Sequence, residues 1–288
     1  MAVVDETGER LMHEVVPDHK RGGGAPPRRR RAPGISTRPL IRLVLFLVSL
    51  AALYVAWLIG SQHFETYILP GPGPVWDSFR GMVDRGVWAT QVRATLGHMF
   101  LAYGITLGIG LPLGIAIGRF WVIEDLSRAV LIFLQTVPTI VLIALALIFV
   151  GTTATGVIGV TVASCLTYFT LNVIQGTKSI DRDLSEMARS YGASELTIMR
   201  SIVLPSVVPY FLAGGRITLG VAWQVTLFGE YLMGTPGIGF QVSTAIKLLD
   251  TAAVFAWGLS VVALTIAFEY GVFRPIEALL TRHTRRAE

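Results

Sequence analysis

Gln135, Thr136, Gln224, Thr226 and Glu230 are polar side chains set inside long apolar runs, and with Pro138 they are where this chain could do chemistry within a membrane. The chemistry they suit is recognition. An amide offers two donors and an acceptor, and a threonine hydroxyl offers one donor and two lone pairs. Facing a water-filled path, such groups can replace part of a solute's hydration shell, and Pro138 can bend its helix and free a carbonyl. Catalysis by acid–base or metal chemistry would want converging His, Asp or Glu groups, whereas His98, Glu230 and Glu269 are scattered along the chain. Glu230 reads as a gate, or as a cap for irregular backbone, because Met233-Gly234-Thr235-Pro236-Gly237 just after it must break a helix. His98 and Glu269 read as hydrogen-bonded packing residues, and Arg216 as an anchor that snorkels to a membrane surface.

A second set of residues is charged. From Glu186 to Pro205 the chain forms a polar island between two apolar runs. Asp181 and Asp183 suit helix N-caps, and Asp183 with Glu186 three residues on imitates a capping box. Gly192 can stop the first short helix, Ser194 can cap a second, and Pro205 closes that one before the next run. Two short helices at an angle, held at the membrane surface, are the expectation. A membrane chain has little reason to build them unless something docks there.

The elements that must position both sets follow from composition. Of 288 residues 52% are apolar and only 15% charged, where a soluble domain carries about a quarter charged; mean hydropathy is +0.61. Between Ala129 and Thr177 there is no Asp, Glu, Lys or Arg, room for two spans of about 20 residues each around a turn at Gly151–Gly156. The reading is an all-α integral membrane protein with about six transmembrane helices. The first covers roughly 39–61, the second lies between Arg93 and Arg119, and the third runs from Ala129 to Val150. The fourth runs from Val157 to Gln175, the fifth from Pro205 to Met233, and the sixth from Ala252 to Phe273. Small residues in the second span form two ladders, Gly104/Gly108 and Gly110/Gly114/Gly118, which let helix backbones approach closely.

Outside the spans, residues 1–38 form a basic tail expected to be disordered, and 277–288 a second basic tail. The first apolar run begins near Leu40, so no cleavable signal peptide is expected. The 62–90 segment carries Leu69-Pro70-Gly71-Pro72-Gly73-Pro74, which forbids a regular helix. After it, Val75, Phe79, Met82 and Val83 share one face of an amphipathic surface helix, with Trp76 and Trp88 at headgroup depth. The net charge of +5 comes from basic residues that flank spans, so it reports orientation and not nucleic-acid binding. Both termini and the 178–205 loop are expected in the cytoplasm, and 62–90 outside. The single Cys165 excludes a disulfide framework or thiolate metal site, and no cofactor is expected.

The polar island resembles a known family. Glu-Ala-Ala, three residues, Gly, nine residues and Ile-x-Leu-Pro mark the permease subunits of type I ABC importers. This chain supplies Glu186, Ala188, Gly192, Ile202, Leu204 and Pro205 at that spacing, with Met187 in place of the middle alanine. Leu69-Pro70 with Pro74-Val75, Gln135-Thr136-Val137-Pro138, Ala213-Gly214-Gly215-Arg216-Ile217 and Glu230-Tyr231-Leu232 before Gly237-Ile238-Gly239 look like the nitrate/sulfonate/taurine branch. The resemblance covers roughly 65–275, with a core domain over 91–276.

It implies a type I importer transmembrane domain in which Glu186, Met187, Ala188, Gly192, Ala193, Ser194, Ile202, Leu204 and Pro205 form the ATPase-coupling loop. It also implies a second permease copy as a homodimer, two cytoplasmic ABC ATPase subunits and an extracytoplasmic solute-binding protein, in the cell membrane. The solute would be a small organic or inorganic anion such as a sulfonate, taurine, nitrate, bicarbonate or an aromatic carboxylate. The chain lacks the phosphate-binding pattern G-x4-G-K-[S/T], so energy would enter through a partner and the chain would not itself be an enzyme. An ion-coupled secondary transporter is the alternative. That class shows internal repeats and charged midplane sites, neither of which is evident, and it leaves the island unexplained.

Overall fold

The computed structural model describes residues 38–273. The basic tail read over 1–38 therefore lies outside the described residues except for Arg38, and the tail read over 277–288 lies wholly outside them. The chain divides into two units at Ala52. In the first, the opening part of helix α1 (Arg38–His63) is described, and its described side chains are exposed, most of them apolar groups such as Leu45, Phe46 and Val48.

In the second unit the chain turns at Pro70 and enters α2 (Pro72–Asp84), whose first turn uses the fixed backbone angle of proline. Val75 and Met82 are buried beneath this short helix, Phe79 is half-buried, and Trp76 and Val83 are exposed. Next come α3 (Val87–Arg119), α4 (Trp121–Thr136), α5 (Thr139–Val150) and α6 (Ala154–Lys178). The loop helices α7 (Arg182–Ser190) and α8 (Glu195–Ile198) follow, then α9 (Leu204–Met233), α10 (Ile238–Lys247) and α11 (Thr251–Phe268).

Helix α6 is the centre of the packing, lying along α3 on one side and α9 on the other. Only one of the two glycine ladders makes this possible. A methyl group at Gly114 would come within 2.6 Å of Val173, and one at Gly118 within 2.6 Å of Thr177, whereas Gly104 and Gly108 face open space. Backbone contact of that closeness excludes any larger residue at Gly114 and Gly118 unless α3 and α6 separate.

Two expectations are corrected. The third span is not one helix over 129–150. Helices α4 and α5 meet at a 97° bend, with Val137 extended at the end of α4 and Pro138 opening α5, because a residue before proline is pushed out of helical geometry. Among the described residues five helices are long and apolar enough to cross a membrane, and six if this bent pair counts as one. Nor does Pro205 close the second loop helix. The chain stays helical from Glu195 to Met233, passing Pro205 through a π-helical turn at Met199–Val203. The wider turn lets the helix absorb a ring that would clash with the carbonyl four residues back.

Candidate functional site

The polar residues gather at the two ends of the bundle. At the end where α6 passes into α9, Asp181 accepts a hydrogen bond from the Asp183 N–H and caps α7. Gly192 takes a left-handed backbone (φ 80°), which only glycine adopts freely. The Ala193 N–H then donates to the Ala188 carbonyl at 3.0 Å, and the Ser194 hydroxyl caps the next helix by accepting from the Thr197 N–H at 3.2 Å. The expected pair of helices joined at glycine is present.

This loop has an apolar foot and an apolar crown. Ile198 and Val203 are buried with Ile115, Phe169, Val173 and Val207, and Ala188, Ala193 and Ile202 pack against them. On the other side Leu184, Met187, Tyr191 and Leu196 are exposed, Tyr191 to 86%. Glu186, Ser194, Leu204 and Pro205 are exposed as well. Four exposed apolar side chains on a short charged loop are the kind of surface that marks a protein contact.

One carboxylate that sequence reasoning missed organises the loop. Glu195 accepts from Arg189 Nε at 2.8 Å through one oxygen and from Arg119 through the other. The hydrogen bond to Glu195, followed by its charge, holds the Arg189 guanidinium above its ordinary pKa. Lys178 pairs with Glu124 alongside. The available signal was the pairing of opposite charges, Arg189 and Glu195, on either side of the Gly192 hinge.

At the opposite end, Glu230 is fully buried near the end of α9. Its Oε2 accepts from Thr95 Oγ1 at 2.8 Å and from the Gly239 N–H at 3.1 Å, and its Oε1 shares a hydrogen bond of 2.9 Å with His98 Nδ1. Thr95 in turn accepts from the Ile238 N–H at 2.8 Å. Carboxylate and hydroxyl together thus satisfy the first two N–H groups of α10, which otherwise have no helical partner. A side chain on Gly237 would run into the Glu230 carboxylate, and one on Gly239 into the Leu227 carbonyl. His98 is hydrogen-bonded, as its sequence position suggested, and Glu269 pairs with Arg216 at 2.8 Å. Thr95 and His98, three apart on one face of α3, were the missed partners.

The other polar positions fall in two groups. Thr226 turns inward, 3.3 Å from Thr161 Oγ1, and with Glu230 is enclosed by packing. Gln135, Thr136 and Pro138 are exposed at the α4–α5 bend, and Thr136 donates to the Ile132 carbonyl. Gln224 is exposed on an open face of α9 with Ile217, Gly220 and Phe228. Among the described residues no cluster of His, Cys, Asp and Glu could hold a metal ion.

The chain is 29% identical over 239 residues to the taurine transport system permease protein TauC of Escherichia coli, covering 80% of this chain and 86% of that one. It is 30% identical to the formylaminopyrimidine transport permease protein ThiX of Halalkalibacterium halodurans, covering 71% and 82%. With the nitrate import permease protein NrtB of Synechocystis it shares 26% identity, covering 76% and 82%. The fold is that of the inward-facing MetNI methionine ABC transporter, with a TM-score of 0.56 and 21% identity over 69% of this chain and 96% of that one. It is equally that of an amino acid ABC transporter, with a TM-score of 0.55 and 18% identity over 71% and 98%. The architecture is a type I ABC importer transmembrane domain in a multi-pass membrane protein. Residues 110–272 match the model of the binding-protein-dependent transport system inner membrane components, and the chain belongs to that family of ABC permeases.

Proposed function

We propose that this chain is the translocation subunit of an ATP-driven importer. It works as a homodimer, takes energy from two separate ATPase subunits seated on the 186–205 loop, and receives solute from an extracytoplasmic binding protein. The observation that carries this reading is the loop itself. Ala188, Ala193 and Ile198 root it in the bundle, while Leu184, Met187, Tyr191 and Leu196 stand exposed on a surface with no membrane-spanning role. In this reading both termini and the loop lie in the cytoplasm, in accord with the clustering of arginines on that side.

The solute is a small organic or inorganic anion, supported by relatives named for taurine and nitrate. Gln135, Thr136, Pro138 and Gln224 line the path in the dimer. Thr226 and Glu230 shape it from behind, because their side chains are engaged inside one subunit.

Mild-detergent purification of the tagged chain from its native membrane, with mass spectrometry of its companions, tests the reading. A Walker-type ATPase is expected to co-purify and to be lost when Gly192 is replaced by a bulky residue or Glu186 by lysine. Recovery of the chain without any ATPase, under conditions that keep a known transporter complex intact, would favour an ion-coupled transporter instead.

A further inference from the structure

Resting on that reading, we infer that Glu195 is a positioning residue that fastens the coupling helix α7 to the end of α3, so that movement of the ATPase is delivered to α3 as well as to the helices continuous with the loop. By covalent connection α7 leads backward into α6 and forward, across the Gly192 hinge, into α8 and α9. Neither route enters α3. Among the described residues the polar bridges from the loop to α3 pass through Glu195, which divides its two oxygens between Arg119, the last residue of α3, and Arg189, near the end of α7.

Side-chain packing ties the end of α3 to α6, where a methyl group at Gly118 would come within 2.6 Å of Thr177, and Glu195 adds a direct tie from α7. Arg119 and Arg189 border two clefts of about 620 and 730 Å³, one reaching Lys178 and Glu186, the other Leu111 and Met199. The apolar foot stops at Ile115, a full turn before Arg119. Across the last turn of α3, then, α6 is joined to it by packing and α7 by charge.

The placement of α3 gives the link its consequence. It is one 33-residue helix, and Thr95 near its other end holds Glu230 and the start of α10. Arg119 is 24 positions further on, a span of about 36 Å at 1.5 Å per residue. A displacement received at Arg119 therefore reaches the Glu230 centre through a single helix. An exposed ion pair contributes little to folding, but ATPase docking over Leu184, Met187 and Tyr191 would displace water near Glu195 and strengthen it. The link tightens in the assembled complex, where it is needed.

The test uses the intact complex, permease with its co-purifying ATPase, reconstituted in proteoliposomes and supplied with its solute-binding protein. Uptake per ATP hydrolysed is compared for the wild type, Glu195→Gln, Arg119→Gln and the full reversal Arg119→Glu/Arg189→Glu/Glu195→Arg. Both single variants should keep the ATPase bound and lower the ratio about three- to tenfold, the range expected for removing one link of a coupled network. The reversal should recover at least half of the loss, because opposite charges again meet. An unchanged ratio in Glu195→Gln would overturn the inference. So would loss of the ATPase from that variant, which makes Glu195 a docking residue, or failure of the reversal to recover anything. A wild-type chain that binds no ATPase would instead remove the proposed function itself.

Discussion

Glu230 and Glu195 are both carboxylates that join α3 to a shorter helix, and they are built in opposite ways. Glu230 is fully buried and held by a hydroxyl, an imidazole and a backbone N–H. Glu195 is 63% exposed and held by two guanidinium groups. In the interior, where a polar group left unpaired is costly, the partners are placed by two elements, α3 and α10, and glycines at 237 and 239 clear the space. At the surface, water is available to replace any partner that leaves. The first arrangement fixes one geometry; the second can break and re-form. Under the proposed function, the second suits the loop end where a partner would touch it and the first suits the end where helices keep their spacing.

The comparison breaks most readily at Glu230. Glu230→Ala leaves the Thr95 hydroxyl, the His98 imidazole and the Gly239 N–H without their shared partner and should cost about 2–5 kcal/mol, since each buried polar group left unpaired costs about 1–3 kcal/mol. The measurement is the unfolding midpoint of the purified chain in detergent, and a loss no larger than that from Glu195→Ala would refute the contrast. Thr95→Val tests the same centre more gently. It keeps the shape but leaves the Ile238 N–H without an acceptor, and it should cost about 1–3 kcal/mol. The smallest effect is expected at the surface, where Glu195→Gln should leave the unfolding midpoint unchanged. It should instead speed tryptic cleavage after Arg189, and added salt should do the same to the wild type, since exposed pairs are screened within about 10 Å at 0.1 M. Equal cleavage with and without salt would mean that packing, not charge, holds α7.

Much of the loop was legible because its signals are local. Asp181, Gly192 and Ser194 each act on backbone within a few residues of themselves, and cap chemistry at that range is written directly in sequence. The break after Met233 was legible for the same reason. The partners of Glu230 were not, since Thr95 and His98 lie 135 and 132 residues away and periodicity says only that they share a helix face. Of the two glycine ladders, sequence alone gave no ground for choosing Gly110/Gly114/Gly118, because the choice depends on where Phe169, Val173 and Thr177 fall on the neighbouring helix. Pro138 and Pro205 carry the same sequence signal yet end in a 97° corner and in an unbroken helix. The difference lies in the π turn that only Pro205 has before it.

That turn also has a meaning in the arithmetic of the helix. A π turn is an α-helix carrying one surplus residue, and each residue advances the helix by about 100°. Deleting a single residue between Met199 and Val203 would restore ordinary winding and rotate everything after it, from Pro205 to Met233, by that angle against the loop. Gln224 would then leave the open face, and the Glu230 carboxylate would point away from Thr95. In the proposed cycle, the phase between the part of the chain that is pushed and the part that responds is set by one residue.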